Sequence, residues 1–265
     1  MKKITQSKAK ERLVKLLMDF ADYCDENGLT YFLIGGTLLG AVRHRGFIPW
    51  DDDIDVGMPR SDYERFIELQ SENSTIPVRC VENRTSEYPF AKIVDEKTVV
   101  KQPYTAESET SSLWIDIFPF DGWADNEKVA EKDLKKGKVL RFLLVYAQTK
   151  TGNGTTKLRA VMKMPIVLLA KALGGKRIAS WINILSQKYE YEKSEWIGNF
   201  SWATVGMRER VPKKWFEKLV KLSFEGYEFW APVEWDKYLT VIYGNYMQLP
   251  PEDKRVNHSM EVWLK

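Results

Sequence analysis

Gly35-Gly36-Thr37-Leu38-Leu39-Gly40-Ala41-Val42-Arg43-His44-Arg45-Gly46-Phe47-Ile48-Pro49-Trp50-Asp51-Asp52-Asp53-Ile54-Asp55-Val56 is the stretch on which the fold turns. Just ahead of it, Thr30-Tyr31-Phe32-Leu33-Ile34 is a run of aromatic and branched residues and reads as a strand. Gly35-Gly36 breaks that strand, and Thr37 is placed to cap a short helix through about His44. Pro49 interrupts again. Asp53 to Met58 then reads as a second strand, because Ile54 and Val56 alternate with Asp53 and Asp55 as on a half-buried surface. Ser61, followed three residues later by Glu64, has the spacing of a capping box and predicts another helix.

Outward from this centre, Leu13, Leu16, Leu17, Phe20, Ala21 and Cys24 recur at helical spacing, so an amphipathic helix is expected over about 7–27, stopped by Asn27-Gly28. Strand-like runs follow at 78–81, 90–94, 97–101 and 113–118. After Asp121 the texture changes. Residues 127–195 read as helical and basic, with one loop at Thr151-Gly152-Asn153-Gly154, and 196–265 alternate Trp-rich and turn-rich segments. No internal repeat or low-complexity tract is visible. The expectation is an α+β protein in which residues 1–125 form a mixed β-sheet core flanked by helices. Residues 126–265 form an appended, mostly helical half that completes the acceptor side.

The 265 residues carry 40 Lys+Arg against 37 Asp+Glu, a net charge of +3, which disfavours a nucleic-acid binder held by overall positive charge. At 44% hydrophobic and 29% charged residues, the composition is globular and excludes wholesale disorder. Cys24 and Cys80 cannot make a disulfide framework and have no zinc-motif spacing; Cys24 falls on the apolar stripe of the first helix and reads as a buried thiol. The basic N-terminus is followed by no apolar signal core, and no uncharged apolar run reaches the roughly 18–20 residues a membrane span needs. A cytoplasmic protein is expected, with peripheral attachment to the inner face of the cell membrane left open.

The chemistry gathers on acidic residues. Asp51, Asp53 and Asp55 share parity and face one side of a strand. Carboxylates so placed repel one another unless a cation lies between them, and a hard cation such as Mg²⁺, with Mn²⁺ as the substitute, takes oxygen ligands and leaves positions for phosphates. The glycines let backbone N–H groups of Gly35, Gly36 and Thr37 approach an anion at a helix N-terminus. Arg43, His44 and Arg45 lie between glycines and acids, where Arg can meet phosphate oxygens bidentately. Farther on, Leu113-Trp114-Ile115-Asp116-Ile117-Phe118-Pro119 sets a carboxylate inside an apolar strand, which is costly unless it is paired or metal-bound. Asp116 is therefore a third metal ligand or a base acting on an acceptor hydroxyl, whereas Asp121 is assigned to a turn.

Gly35 to Val56, together with Trp114 to Asp121, strongly resembles the LicD family within the nucleotidyltransferase-fold superfamily. In that pattern Gly35 and Gly36 match the loop after the first strand, Asp53 and Asp55 the metal pair on the second, and Asp116 the acid on a later strand. Lys92 in Phe90-Ala91-Lys92-Ile93, Tyr243-Gly244 and Leu249-Pro250-Pro251 match further, and His258 stands where relatives are often histidine-rich. The resemblance implies a nucleotidyltransferase-like fold and metal-dependent transfer of a phospho-alcohol, typically phosphocholine from CDP-choline. The acceptor would be a sugar hydroxyl of a surface glycan such as teichoic acid or a lipopolysaccharide precursor, on a lipid carrier in some cases, and CMP would be released. It implies that Arg43, Arg45, Lys92 and His258 serve substrate binding beside the glycine loop.

Two other readings use the same residues. A true nucleotidylyltransferase would move NMP to a small acceptor with the same metal chemistry, and an inactive carbohydrate-binding or scaffold protein would use the Trp-rich C-terminal half. Residues 159–177 raise a separate expectation. Val161, Met162, Pro165, Ile166, Leu169, Ala170 and Leu173 form an apolar ladder with Lys163 and Lys171 on another side, so this helix either lies on a membrane surface or packs on the catalytic half.

Overall fold

The computed structural model describes residues 1–72, 76–101, 112–149, 157–255 and 260–265. Thr5 opens helix α1 (Gln6–Asn27): its side chain accepts the Lys8 N–H, and Gly28 ends the helix in the left-handed conformation at φ 63°. Leu13, Leu17, Phe20 and Cys24 on its inner stripe are 0–1% exposed, so the apolar spacing marks the face that packs. A two-residue strand β1 (Lys2–Lys3) precedes it.

The stretch that decides the fold forms β2 (Phe32–Leu33), α2 (Gly35–His44) and β3 (Asp55–Pro59), with α3 (Arg60–Glu72) directly behind. Helix α2 begins three residues earlier than a Thr37 cap would set it, with Ile34 at the cap position. Gly35 takes a left-handed φ of 54°, and Thr37 sits inside the first turn, where its hydroxyl accepts the Asp55 N–H at 2.8 Å instead of capping the helix. Likewise α3 starts at Arg60, so Ser61 lies within it and does not precede it. The second strand is shorter than its apolar alternation suggested, yet the alternation persists ahead of it: Asp52, Ile54 and Val56 are buried, while Asp51, Asp53 and Asp55 are half-buried on the other side.

Three further strands, β4 (Val78–Arg79), β5 (Ala91–Asp95) and β6 (Thr98–Lys101), lead to the long strand β7 (Leu113–Gly122). The central sheet runs β2-β3-β7-β5-β4, with β3 and β7 parallel and the other neighbours antiparallel. β7 extends past Pro119, which overturns the assignment of Asp121 to a turn. Asp121 is an in-strand residue, 1% exposed, and its two oxygens accept from Arg60 Nε at 2.6 Å and Nη2 at 3.0 Å. A buried carboxylate is held there by a buried guanidinium, the pairing such burial requires.

The second half of the chain opens with three helices, α4 (Glu127–Gln148), α5 (Lys157–Leu173) and α6 (Gly175–Ser186). Leu144, Ile178, Ala179 and Ile182 form a small core between α4 and α6, and Asn183 of α6 bonds Arg60 and Glu82, tying the helices to the sheet. The same half also supplies strands: β8 (Trp196–Gly198) extends the sheet from β7, and β9 (Val211–Pro212) pairs with β8. A hairpin of β10 (Leu219–Phe224) and β11 (Tyr227–Pro232) follows, then α7 (Trp235–Tyr243). Strand β12 (Glu261–Leu264) joins β1 and β6 in a separate three-stranded sheet. The result is an α+β architecture, a mixed sheet flanked by seven helices among the described residues.

Helix α5 splits the ladder its spacing suggested: Ala170 packs inward, Ile166 and Leu169 do not, and the side chains of Val161 and Met162 lie outside the described residues. Val167 and Ala170 are buried, whereas Ile166, Leu168 and Leu169 stand exposed. The expected loop at 151–154 lies outside the described residues.

Candidate active site

Strand register builds the site. In the parallel pairing of β3 with β7, Asp55 stands opposite Asp116; in the antiparallel pairing of β5 with β7, Lys92 stands opposite the same Asp116. Three charged side chains thus lie abreast on one face of three adjacent strands. Lys92 Nζ donates to Asp116 Oδ1 at 2.6 Å, and the Trp114 indole N–H donates to Oδ2 at 3.2 Å. Trp114 reaches Asp116 because residues two apart share a face.

The glycine turn closes over these carboxylates. A Cβ on Gly35 would lie 3.3 Å from Asp55 Oδ2 and 3.9 Å from the Tyr243 hydroxyl, and one on Gly36 would lie 2.6 Å from Asp51 Oδ2. Gly35 is required twice over, for its positive φ and for this close approach. The start of α2 therefore points at Asp51 and Asp55, and Thr37 fixes the Asp55 backbone from below.

The electrostatics follow from that crowding. Burial first, then the charges of Asp53, Asp116 and Asp51, push the Asp55 carboxyl well above the usual carboxylate range, with Lys92 opposing them. Burial of its hydroxyl, then Asp55 and Asp51, also raises Tyr243. Lys92 is itself boxed in by rings. Its ammonium lies 4.4 Å from the Tyr88 centroid, 4.4 Å from Trp114 and 5.2 Å from Phe90, so this wall of the site accommodates a cation against π faces.

The oxygen-only donor set of Asp51, Asp53, Asp55 and Asp116 fits a hard divalent cation in type and in charge: one ammonium opposes Asp55 and the three acids that perturb it. Among the described residues, no group of three His, Cys, Asp or Glu side chains is already gathered around a common ion position. Asp116 in particular is engaged by Lys92 and Trp114.

Of the residues singled out in the sequence, Gly35, Gly36, Thr37, Asp55, Asp116 and Lys92 are brought together, with Asp53 within electrostatic reach of Asp55. The basic residues at the end of α2 are placed otherwise. Arg43 Nη1 donates to the Tyr246 carbonyl at 2.5 Å, while Arg45 is exposed at the helix end, in the left-handed conformation at φ 56°. His258 lies outside the described residues. Sequence reasoning gave no role to Tyr88 or Phe90, placed Asp51 in the acidic set without naming it a ligand, and matched Tyr243 to the family pattern without a role at the site. Asp51 carried a signal, since it shares parity with Asp53 and Asp55; the Tyr243 hydroxyl arrives from α7, a long-range contact no local pattern encodes.

Comparison with known proteins accords with this geometry. Residues 28–142 match the family model described as LicD/FKTN/FKRP, nucleotidyltransferase domain. Over 270 aligned residues, spanning 100% of both chains, the protein is 32% identical to "Lipopolysaccharide cholinephosphotransferase LicD" of Haemophilus influenzae. It is 32% identical over 114 residues to human "Ribitol 5-phosphate transferase FKRP", which covers 39% of this chain and 21% of that protein. With mouse "Ribitol-5-phosphate transferase FKTN" the identity is 26% over 134 residues, covering 51% and 26% of the two chains.

Proposed function

Because the chain belongs to the LicD family, we propose that it transfers phosphocholine from CDP-choline to a sugar hydroxyl of a cell-surface glycan, releasing CMP. A lipopolysaccharide precursor is the favoured acceptor and teichoic acid a second one, the full-length relative being named for the first. The observation that carries the proposal is the placement of Asp55, Asp116 and Lys92 abreast beneath the Gly35-Gly36 turn. Such a site offers what phosphoryl-group transfer needs, namely positioning and charge compensation with little covalent chemistry from the protein.

In this reading Asp53 and Asp55, with Asp116 as third ligand, would hold Mg²⁺, which when bound neutralises the pyrophosphate and favours departure of CMP. The protein's own residues supply the rest. The N–H groups at the start of α2 receive phosphate oxygens, at the approach that Gly35 and Gly36 leave open. Lys92 stands where it can balance charge on the transferred phosphoryl group. The acceptor hydroxyl oxygen bonds to the choline-bearing phosphorus, the bond from that phosphorus to the bridging oxygen breaks, and the oxygen leaves with CMP. The hydroxyl proton passes to the Asp116 carboxylate where that group serves as the base, the alternative to its role as third ligand. The rings of Tyr88, Phe90 and Trp114 are taken up by the Lys92 ammonium, so the choice of choline over ribitol rests on the full-length relative, which is named a cholinephosphotransferase.

Product analysis tests the reaction class. Incubation with Mg²⁺, CDP-choline and acceptor should release CMP, and Asp53→Asn should abolish the release. Pyrophosphate from a nucleoside triphosphate, with no CMP from CDP-choline, would identify a nucleotidylyltransferase. A panel of CDP-alcohols compared for thermal stabilisation identifies the alcohol, because a ligand of the folded state raises apparent stability with its affinity.

A further inference from the structure

The near-neutral charge of the chain hides a segregation. Between Asp133 and Glu190 there are twelve Lys and Arg and no Asp or Glu, which leaves 28 of the 40 basic residues to face all 37 acidic ones elsewhere. This acid-free stretch supplies most of the α4–α5–α6 layer, to which only the first two turns of α4 bring acids, the exposed Glu127 and Glu131 and the buried Asp133. Its inner contacts are already satisfied, with Leu144, Val167, Ala170, Ile178 and Ile182 buried. Its outside is unusually apolar: Val139 (60% exposed), Phe142 (49%) and Val145 (51%) line α4, Leu168 and Leu169 (both 56%) stand on α5, and Ile184 (66%) on α6. Lys163 of α5 lies 5.9 Å from the Tyr146 ring of α4, which itself stacks edge-on with Phe142, so the α4 and α5 stripes adjoin. Beside α4 an open groove of about 770 Å³ runs toward Trp202 and Met207, lined by Lys135, Lys138 and Arg141 against a single acid, Glu131.

We propose that the α4–α5–α6 layer is a docking surface for anionic lipid headgroups, on which the protein lies with its exposed Leu and Phe side chains in the interfacial region. Interspersed basic and apolar side chains with few acids are what the surface of an anionic bilayer selects. No helix among the described residues is long and apolar enough to cross a membrane, so the layer lies on the bilayer and does not span it. A second copy is the poorer occupant, because a two-fold contact would press one predominantly basic face against another. The surface is wider than the 159–177 helix alone, since α4 and α6 contribute to it. It also stands apart from the transfer reaction, so its test reads binding and not activity.

The test is flotation of the full chain with vesicles of phosphatidylcholine alone and of phosphatidylcholine mixed with phosphatidylglycerol. Wild type should float with the anionic vesicles at low salt, and raising the salt should weaken this markedly. Leu168→Glu combined with Leu169→Glu should reduce partitioning about tenfold or more, while circular dichroism remains unchanged. Lys135→Gln with Lys138→Gln, two exposed changes that leave the apolar stripe intact, should also weaken binding and flatten its salt dependence. Failure of wild type to bind anionic vesicles at low salt would overturn the proposal, as would equal binding by either variant. A dimer that the leucine variant dissociates, with no vesicle binding, would assign the face to a second copy instead.

Discussion

Asp55 and Asp116 stand side by side across the parallel β3–β7 boundary, and the single ammonium of Lys92 on β5 is bonded to Asp116 at 2.6 Å. Asp55 is thus left facing Asp51 and Asp53 as well as Asp116, with only Lys92 among its perturbing neighbours opposing them. That excess of negative charge is a liability for the bare fold and an asset for the proposed site, which would bind a cation and a pyrophosphate.

The pH dependence of stability should report this liability. The folded protein holds the Asp55 proton to a higher pH than the unfolded chain does, because burial and then the neighbouring acids raise it. Its contribution is therefore complete below the ordinary carboxylate range and is lost as pH rises through the raised value. Urea denaturation with a chelator present should show a loss of stability as pH is raised toward neutrality. In Asp55→Asn that dependence should flatten, and the variant should be at least as stable as wild type at neutral pH.

Magnesium should reverse the effect selectively. Adding Mg²⁺ at neutral pH should raise the Tm of wild type and leave Asp55→Asn unmoved, and a chelator should restore the lower value. Equal stabilisation of both proteins would place the ion elsewhere.

The Arg60–Asp121 pair should carry fold stability. Both groups are buried, Arg60 at 7% and Asp121 at 1% exposure, so removing one leaves the other uncompensated. Asp121→Asn or Arg60→Met should cost about 3–5 kcal/mol in urea unfolding, and replacing both together by apolar residues of similar volume should recover much of the loss.

How far the sequence carried the reading can be seen in these same residues. Gly35, Gly36, Asp55 and Asp116 were legible because glycine before a helix and an acid within an apolar strand are each costly without a purpose. Asp121 was misread because Pro119 and Gly122 around it imitate a turn, while its partner Arg60 lies 61 residues away in a different element. Thr37 was given a cap because glycine is a poor helix former, yet the first turn begins on the glycines so that Thr37 can hold the Asp55 N–H. On α5, so many apolar positions compete that spacing found Ala170 but not Val167 among the buried residues.

The glycine turn permits a paired test. Gly35→Ala forces a side chain into φ 54° and should cost about 1 kcal/mol of stability. Gly36→Ala meets only the end of the Asp51 side chain, 2.6 Å away, which can swing aside. Its stability should change little, while turnover should fall about 10²-fold, because Asp51 and the phosphate are both displaced. Steady-state kinetics beside chemical denaturation separates the two effects.

Glu209 gives a second pH signature away from the site. Burial pushes its carboxyl up to about 7, against backbone N–H groups of Val205 and Thr204 and the charges of Arg141 and Arg208. Its folded value lies above its unfolded one, so its contribution is complete below the unfolded value and is lost as pH rises through about 7. Glu209→Gln should remove this part of the pH dependence, with the variant gaining relative to wild type above neutrality; an unchanged profile would exclude Glu209 as the source.

The most direct measurement is incorporation of labelled phosphocholine from CDP-choline into lipopolysaccharide acceptor, with Mg²⁺, by wild type and by folded Asp55→Asn. The account predicts label on the glycan with one CMP released per transfer for wild type, and a loss of about 10³-fold or more in the variant. Undiminished transfer by Asp55→Asn would contradict it.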